Sequence, residues 1–160
     1  MQIVGSQKII KIFTTWRFLF FSLLKLPMVL IAGIRVKKLT SLESNVSVPY
    51  NYINKNPFRS MYFAVQAMAA ELSTGALVIL NAEGHNISML VTNLEAKYLK
   101  KATTKINFIC LDGDRVKMCI NDAVNTAEGQ TCILTSKGYD TNGICVSEFS
   151  ITWSLKTRKA

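Results

Sequence analysis

The sequence is short of the residues that organise many small catalytic and binding domains. Of its 160 residues, one is histidine (His85), three are proline and four are cysteine. The cysteines, at 110, 119, 132 and 145, form no C-x-x-C pair, and one histidine cannot complete a zinc site around them. No cofactor or metal is therefore expected. Cys110, Cys132 and Cys145 sit in apolar, β-like runs, where small buried thiols usually occur. Reduced thiols fit a cytoplasmic protein. His85 falls in the polar turn Asn81 to Asn86, which makes it a poor base for a cysteine nucleophile. With three Pro and eight Gly there is no low-complexity linker, and no repeat recurs at a period of roughly 20–50 residues.

Long uncharged apolar runs are also missing. The N-terminal stretch Arg17 to Val36 is strongly apolar, but Lys25 divides it into uncharged runs of seven and nine residues. A spanning helix needs about 20. Pro27 interrupts any continuous helix, and no clean small-x-small cleavage site follows. A helix from about Thr14 to Leu24 is expected, packed on the body or lying on a membrane surface. Acidic residues are absent from the first 42 positions, which carry seven basic ones. The formal charge of +9 divides into +7 there, −1 across residues 43–155, and +3 from Lys156, Arg158 and Lys159. The central body is nearly neutral. It has no RNP-like motif and no basic helix with interleaved aromatics, so no nucleic-acid partner is expected. The basic N-terminus leaves peripheral membrane contact open.

What is present is a chain with 49% hydrophobic residues, long enough to bury one core. Residues 33–40 and 44–52 read as two strands, with Pro49 marking an edge or bulge. From Ser60 to Asn81 the chain is rich in Ala, Met and Leu, apolar on nearly every side, and long enough for a buried helix capped by Asn56 or Ser60. Residues 86–99 and 104–111 read as strands. Val116, Cys119, Ile120, Ala123 and Val124 recur at helical spacing, predicting a short helix across the sheet. Residues 130–139 and 143–155 form a terminal hairpin around Asp140 to Gly143. In its second strand Phe149, Ile151, Trp153 and Leu155 alternate with polar residues, as in a half-buried antiparallel strand. The order describes an α+β protein: an antiparallel β-sheet wrapped around a long central helix, preceded by an N-terminal helix. A basic apolar helical segment at 1–25 and one domain at 26–160 are expected.

Glu71 is the only ionisable carboxylate between Arg59 and Glu83, and it falls in the middle of the apolar helix. Burial of an unpaired carboxylate raises its pKa, which can tune it as a general base. A glutamate on the helix's one wet edge, or paired with a strand lysine, is the structural alternative. At helical spacing its neighbours are Ala67, Met68, Thr74 and Gly75.

The stretch Val48 to Gly75, followed by Leu94 to Ile106, resembles the hotdog-fold, thioesterase-like superfamily over Pro27 to Lys159. Within it the chain is most similar to a branch known only as a domain of unknown function. In hotdog thioesterases an Asn before the central helix precedes a helical Asp or Glu by about the spacing of Asn56 to Glu71. The segment Ala96-Lys97-Tyr98-Leu99, with Ala102 following, resembles their Tyr-Leu-x-Pro strand signature. The resemblance implies an acyl-CoA or acyl-carrier-protein thioester as substrate and a homodimer or tetramer. It implies Glu71 as base or nucleophile, Asn56 positioning water or substrate, and Thr74 beside them. The Phe63 or Ala64 N–H would hold the oxyanion. Tyr62, Ala67, Met68, Lys100 and Lys101 would line the substrate path, the lysines meeting CoA phosphates together with Lys97 and Lys105. Where many of these thioesterases carry His-Gly-Gly at the helix start, this chain has Tyr62-Phe63-Ala64. Two side chains in place of two glycines narrow the approach, so a non-catalytic acyl-binding or structural hotdog protein stands as the alternative.

Overall fold

A computed structural model describes residues 2–158, with side chains from Ser6 onward; Lys159 lies outside the described residues. In chain order, α1 (Gln2–Thr14), α2 (Arg17–Lys25) and α3 (Pro27–Ile31) precede β1 (Arg35–Leu39) and β2 (Ser44–Val48). Then come α4 (Phe63–Asn81), β3 (Ile87–Tyr98), β4 (Ile106–Cys110), α5 (Gly113–Thr126), β5 (Gln130–Tyr139) and β6 (Cys145–Thr157). The strands form one antiparallel sheet in the order β1-β2-β4-β5-β6-β3, with α4 packed across its inner face.

Alternation builds the sheet. Along β6, Phe149, Ile151, Trp153 and Leu155 point inward and are buried, while Glu148, Ser150, Thr152 and Ser154 point outward. Cys132 and Leu134 do the same on β5, and Phe108 on β4. Helix α4 buries Val65, Ala69, Ala70, Leu72, Ala76, Leu77, Val78 and Leu80. A fully buried Leu or Phe of this kind contributes about 1.5–3 kcal/mol relative to exposure. The N-terminal helices join the same core through Phe13, Phe18 and Val29.

The structure corrects three local expectations. The N-terminal helix is divided into three, α1 being joined to α2 through Thr15 and Trp16, and Pro27 opens α3 as its first residue, where a missing N–H removes no bond. The central helix starts at Phe63, with Tyr62 as its N-cap and no side-chain cap; Asn56 and Ser60 hydrogen-bond each other in the preceding loop. Pro49 stands just past β2, an interior strand, so it ends the strand and marks no edge. β3 and β4, consecutive in sequence, lie apart: β3 pairs with β6 at the free edge of the sheet.

Candidate active site

Three polar pairs fix how α4 is rotated against the sheet. The Ser147 hydroxyl on β6 donates to Gln66 Oε1 at 2.9 Å. Ser73 and Ser136, on β5, share a hydrogen bond at 2.7 Å. The Trp153 indole N–H donates to Thr74 Oγ1 at 3.1 Å. All of these side chains are buried, so breaking any pair strands a polar group away from water. The rotation they impose turns Phe63, Ala64, Ala67, Met68 and Glu71, spaced at one helical face, into the least buried stripe of α4.

The stripe borders the free edge. In the β3–β6 register Val91 opposes Trp153, Leu94 opposes Ile151, Ala96 opposes Phe149 and Tyr98 opposes Ser147. Opposed residues share a face, so these β3 side chains belong to the inner face of the sheet. Unlike their partners on β6 they are only partly covered; Leu94 and Tyr98 are exposed. An open apolar trough thus runs between α4 and β3. Its upper end is tied by Tyr98, whose hydroxyl donates to the Phe63 carbonyl at 3.4 Å and whose ring meets those of Phe63 and Phe149 edge-on.

Glu71 stands in the middle of this stripe. Burial pushes its carboxyl above the usual glutamate range. Among the described residues no ion pair or hydrogen bond engages that carboxylate, so the lysine partner weighed as an alternative is not formed. Space beside it comes from Gly75: a Cβ there would stand 3.4 Å from Glu71 Oε1 and 3.2 Å from the Trp153 ring. Thr74 is fully buried, donating to the Glu71 backbone carbonyl at 2.9 Å while accepting from Trp153. Both functions of its hydroxyl are used, so it locks the turn that carries Glu71 and does not face water.

At the start of α4 a cleft of about 380 Å³ brings together Asn56, Phe63, Lys100 and Lys101 with Gln66 and Tyr98. The N–H groups of Phe63 and Ala64 have no partner among the described residues, and they carry the positive end of the helix dipole. Tyr62 and Phe63 pack edge-on at 4.8 Å and are exposed beside the cleft. The Asn56 amide is directed into its own loop: its Oδ1 accepts from the Phe58 and Ser60 N–H groups at 3.0 and 3.1 Å. Lys101 donates to the Phe58 carbonyl, and Lys100 is exposed. Glu71 lies two turns further on, about 12 Å along the helix axis from Phe63 at 1.5 Å per residue. Within one chain, then, the cleft gathers Asn56, Phe63 and the two lysines, and the trough holds Ala67, Met68 and Glu71.

Sequence reasoning passed over Gln66 and used Tyr98 only as part of a strand signature, with no role at the site. Gln66 is the one amide in the first two turns of an apolar helix, a signal comparable to that of Glu71 and available from the sequence. Burial pushes the Cys110 and Cys132 thiols up to about 12, which disfavours their thiolate forms. His85 lines a separate cavity at the far end of α4.

An antiparallel sheet wrapped on one long central helix is the hotdog fold. Residues 14–155 match the family of domains of unknown function DUF4442, and the chain belongs to that family. No curated protein matches it. A crystal structure of a Pseudomonas aeruginosa protein of unknown function, described as a probable thioesterase, superposes with a TM-score of 0.79 at 19% identity, covering 96% of each chain. A Haemophilus influenzae thioesterase gives a TM-score of 0.67 at 13% identity, covering 85% of this chain and 87% of its own. A variant of another Pseudomonas aeruginosa thioesterase gives 0.67 at 11%, covering 90% and 95%.

Proposed function

We propose that the protein hydrolyses acyl thioesters of CoA or an acyl-carrier protein, with Glu71 as the essential carboxylate. The observation that carries this reading is the position of Glu71: unpaired, desolvated, and the sole charge on α4, over an apolar trough that is open along β3. A carboxylate with a raised pKa is a stronger base once ionised, suited to drawing a proton from water or to attacking the carbonyl itself. Met68, Ala67 and Leu94 supply an apolar bed for an acyl chain. The unpartnered Phe63 and Ala64 N–H groups suit an oxyanion, and Lys100 and Lys101 suit phosphates at the mouth.

The 12 Å between these two parts is too long for one reacting carbonyl to meet both in a single chain. A second copy resolves this. β3 presents a twelve-residue edge with no partner strand among the described residues, and pairing two such edges would bring one chain's Glu71 face toward the other's α4 start. The protein therefore acts as a homodimer or a pair of dimers, with each site shared. Among sequence-based assignments, Asn56 becomes the residue that shapes the cleft loop, and Gln66, buried beside the cleft, holds the first turns of α4 to Ser147 and to the Met61 carbonyl.

The exposed Tyr62 and Phe63 favour a second reading, an acyl-binding protein without turnover, because two bulky rings stand at the helix start beside the cleft. An acyl-CoA panel run with the wild-type protein, read by thiol release and by native mass spectrometry, separates the two. Release of free CoA supports hydrolysis. Bound acyl thioester without release supports the second reading, and neither signal contradicts both.

A further inference from the structure

The N-terminal helices carry a surface the thioesterase reading does not use. Trp16, Phe20, Leu23 and Leu24 stand three and four residues apart on one face from the N-cap of α2, and Met28 and Ile31 repeat the spacing of three on α3, beyond the break at Leu26. They form one apolar stripe, and all are solvent-exposed: Trp16 at 65%, Phe20 at 61% and Leu24 at 78%. The opposite side of α2 is already satisfied, with Phe18 and Ser22 buried and Phe13, Phe18 and Phe21 packed ring to ring. The stripe is therefore surplus to folding, and soluble chains seldom leave so many large apolar side chains contiguous.

Charge indicates what covers it. Residues 1–42 hold seven basic side chains and no acidic one, and exposed Arg17 and Lys25 bracket α2 while Lys8 and Lys11 lie exposed on α1. Helices of nine and five residues are too short to span a bilayer but suit one lying in its headgroup layer. A second copy of the chain is the weaker occupant: it would bring the same seven like charges against these. Moreover α1 packs on β1, the sheet edge opposite β3, so a dimer formed along β3 leaves the stripe uncovered.

We propose that this stripe docks the protein onto an anionic phospholipid surface, Trp16, Phe20 and Leu24 entering the interface while Arg17 and Lys25 meet lipid phosphates and carboxylates. Co-sedimentation of the full chain with phosphatidylserine-containing vesicles tests it, alongside pure phosphatidylcholine vesicles and two double variants. Wild type should bind the anionic vesicles at least about tenfold more tightly than the neutral ones, with binding falling as salt is raised. Phe20→Ser with Leu24→Ser, and separately Arg17→Gln with Lys25→Gln, should each weaken binding about tenfold or more. Because these side chains are exposed, both variants should keep the wild-type melting temperature and the wild-type turnover of soluble substrate. Absence of vesicle binding by wild type, equal binding to neutral vesicles, or equal binding by the serine variant overturns the proposal. So does a drop in oligomer mass on Phe20→Ser with Leu24→Ser, which would assign the stripe to a second copy.

Discussion

At the scale of single residues, Glu71 and its neighbours divide the work between chemistry and placement. Thr74 holds the turn, and Gly75 leaves room between the Trp153 ring and the Glu71 carboxylate. The raised pKa has a consequence for stability whose sign is fixed. Below the unfolded-state value both forms are protonated and the contribution of the neutral side chain is fully present. As pH rises, the unfolded chain ionises first and is favoured, so that contribution is lost up to the folded-state pKa. Glutamine cannot ionise. Glu71→Gln should melt with the wild type below about pH 4 and above it at neutral pH; identical melting curves at both pH values would place the carboxyl in open water. The acidic limb of a pH–rate profile should likewise lie above the ordinary glutamate value, since turnover needs the ionised form.

At the scale of elements, the link between α4 and the sheet is polar as well as apolar. Replacing Thr74 with valine keeps the shape but leaves the buried Trp153 N–H unpaired, which should lower stability by about 1–3 kcal/mol in denaturant titration. If Thr74 also holds Glu71 in register, kcat should fall while KM changes little; an unchanged kcat with the expected loss of stability would leave Thr74 a purely structural residue. The elements themselves were legible in the sequence because their signals are local. Alternation along Phe149 to Leu155, the apolar run of α4, the Asp140 to Gly143 turn and the α5 spacing each lie within one segment. Less was legible where the deciding contact is distant. The placement of β3 beside β6 depends on pairing across some sixty residues, and the helical break at Thr15 and Trp16 has no proline or glycine to announce it. Glu71 could be picked out because one charge in an apolar helix is conspicuous. The committed hydrogen bonds of Asn56 and Thr74 could not, since their partners are a loop fold and a strand seventy-nine residues on.

At the scale of the molecule, the basic excess sits apart from the trough. It lies on the N-terminal helices, on β1 and in the last residues, while Glu71 occupies a stretch, residues 43–155, of net charge −1. α4 is apolar and long enough to cross a membrane by composition, but most of it is buried inside the sheet, as a core helix should be. The long open edge of β3 is the feature that most needs a partner. Light scattering should return twice the chain mass or a multiple of it, and charge placed on the inner face by Leu94→Lys should reduce that mass or abolish turnover. A stable monomer with full activity would remove the shared site.

The central claim is that Glu71 does the chemistry. Its most direct test is the rate of free CoA release from an acyl-CoA that the wild-type protein turns over, compared with Glu71→Gln at equal concentration and with folding checked by circular dichroism. Loss of a general base or nucleophile should lower kcat by about 10²-fold or more with the fold intact. Equal rates from the two proteins would contradict the account.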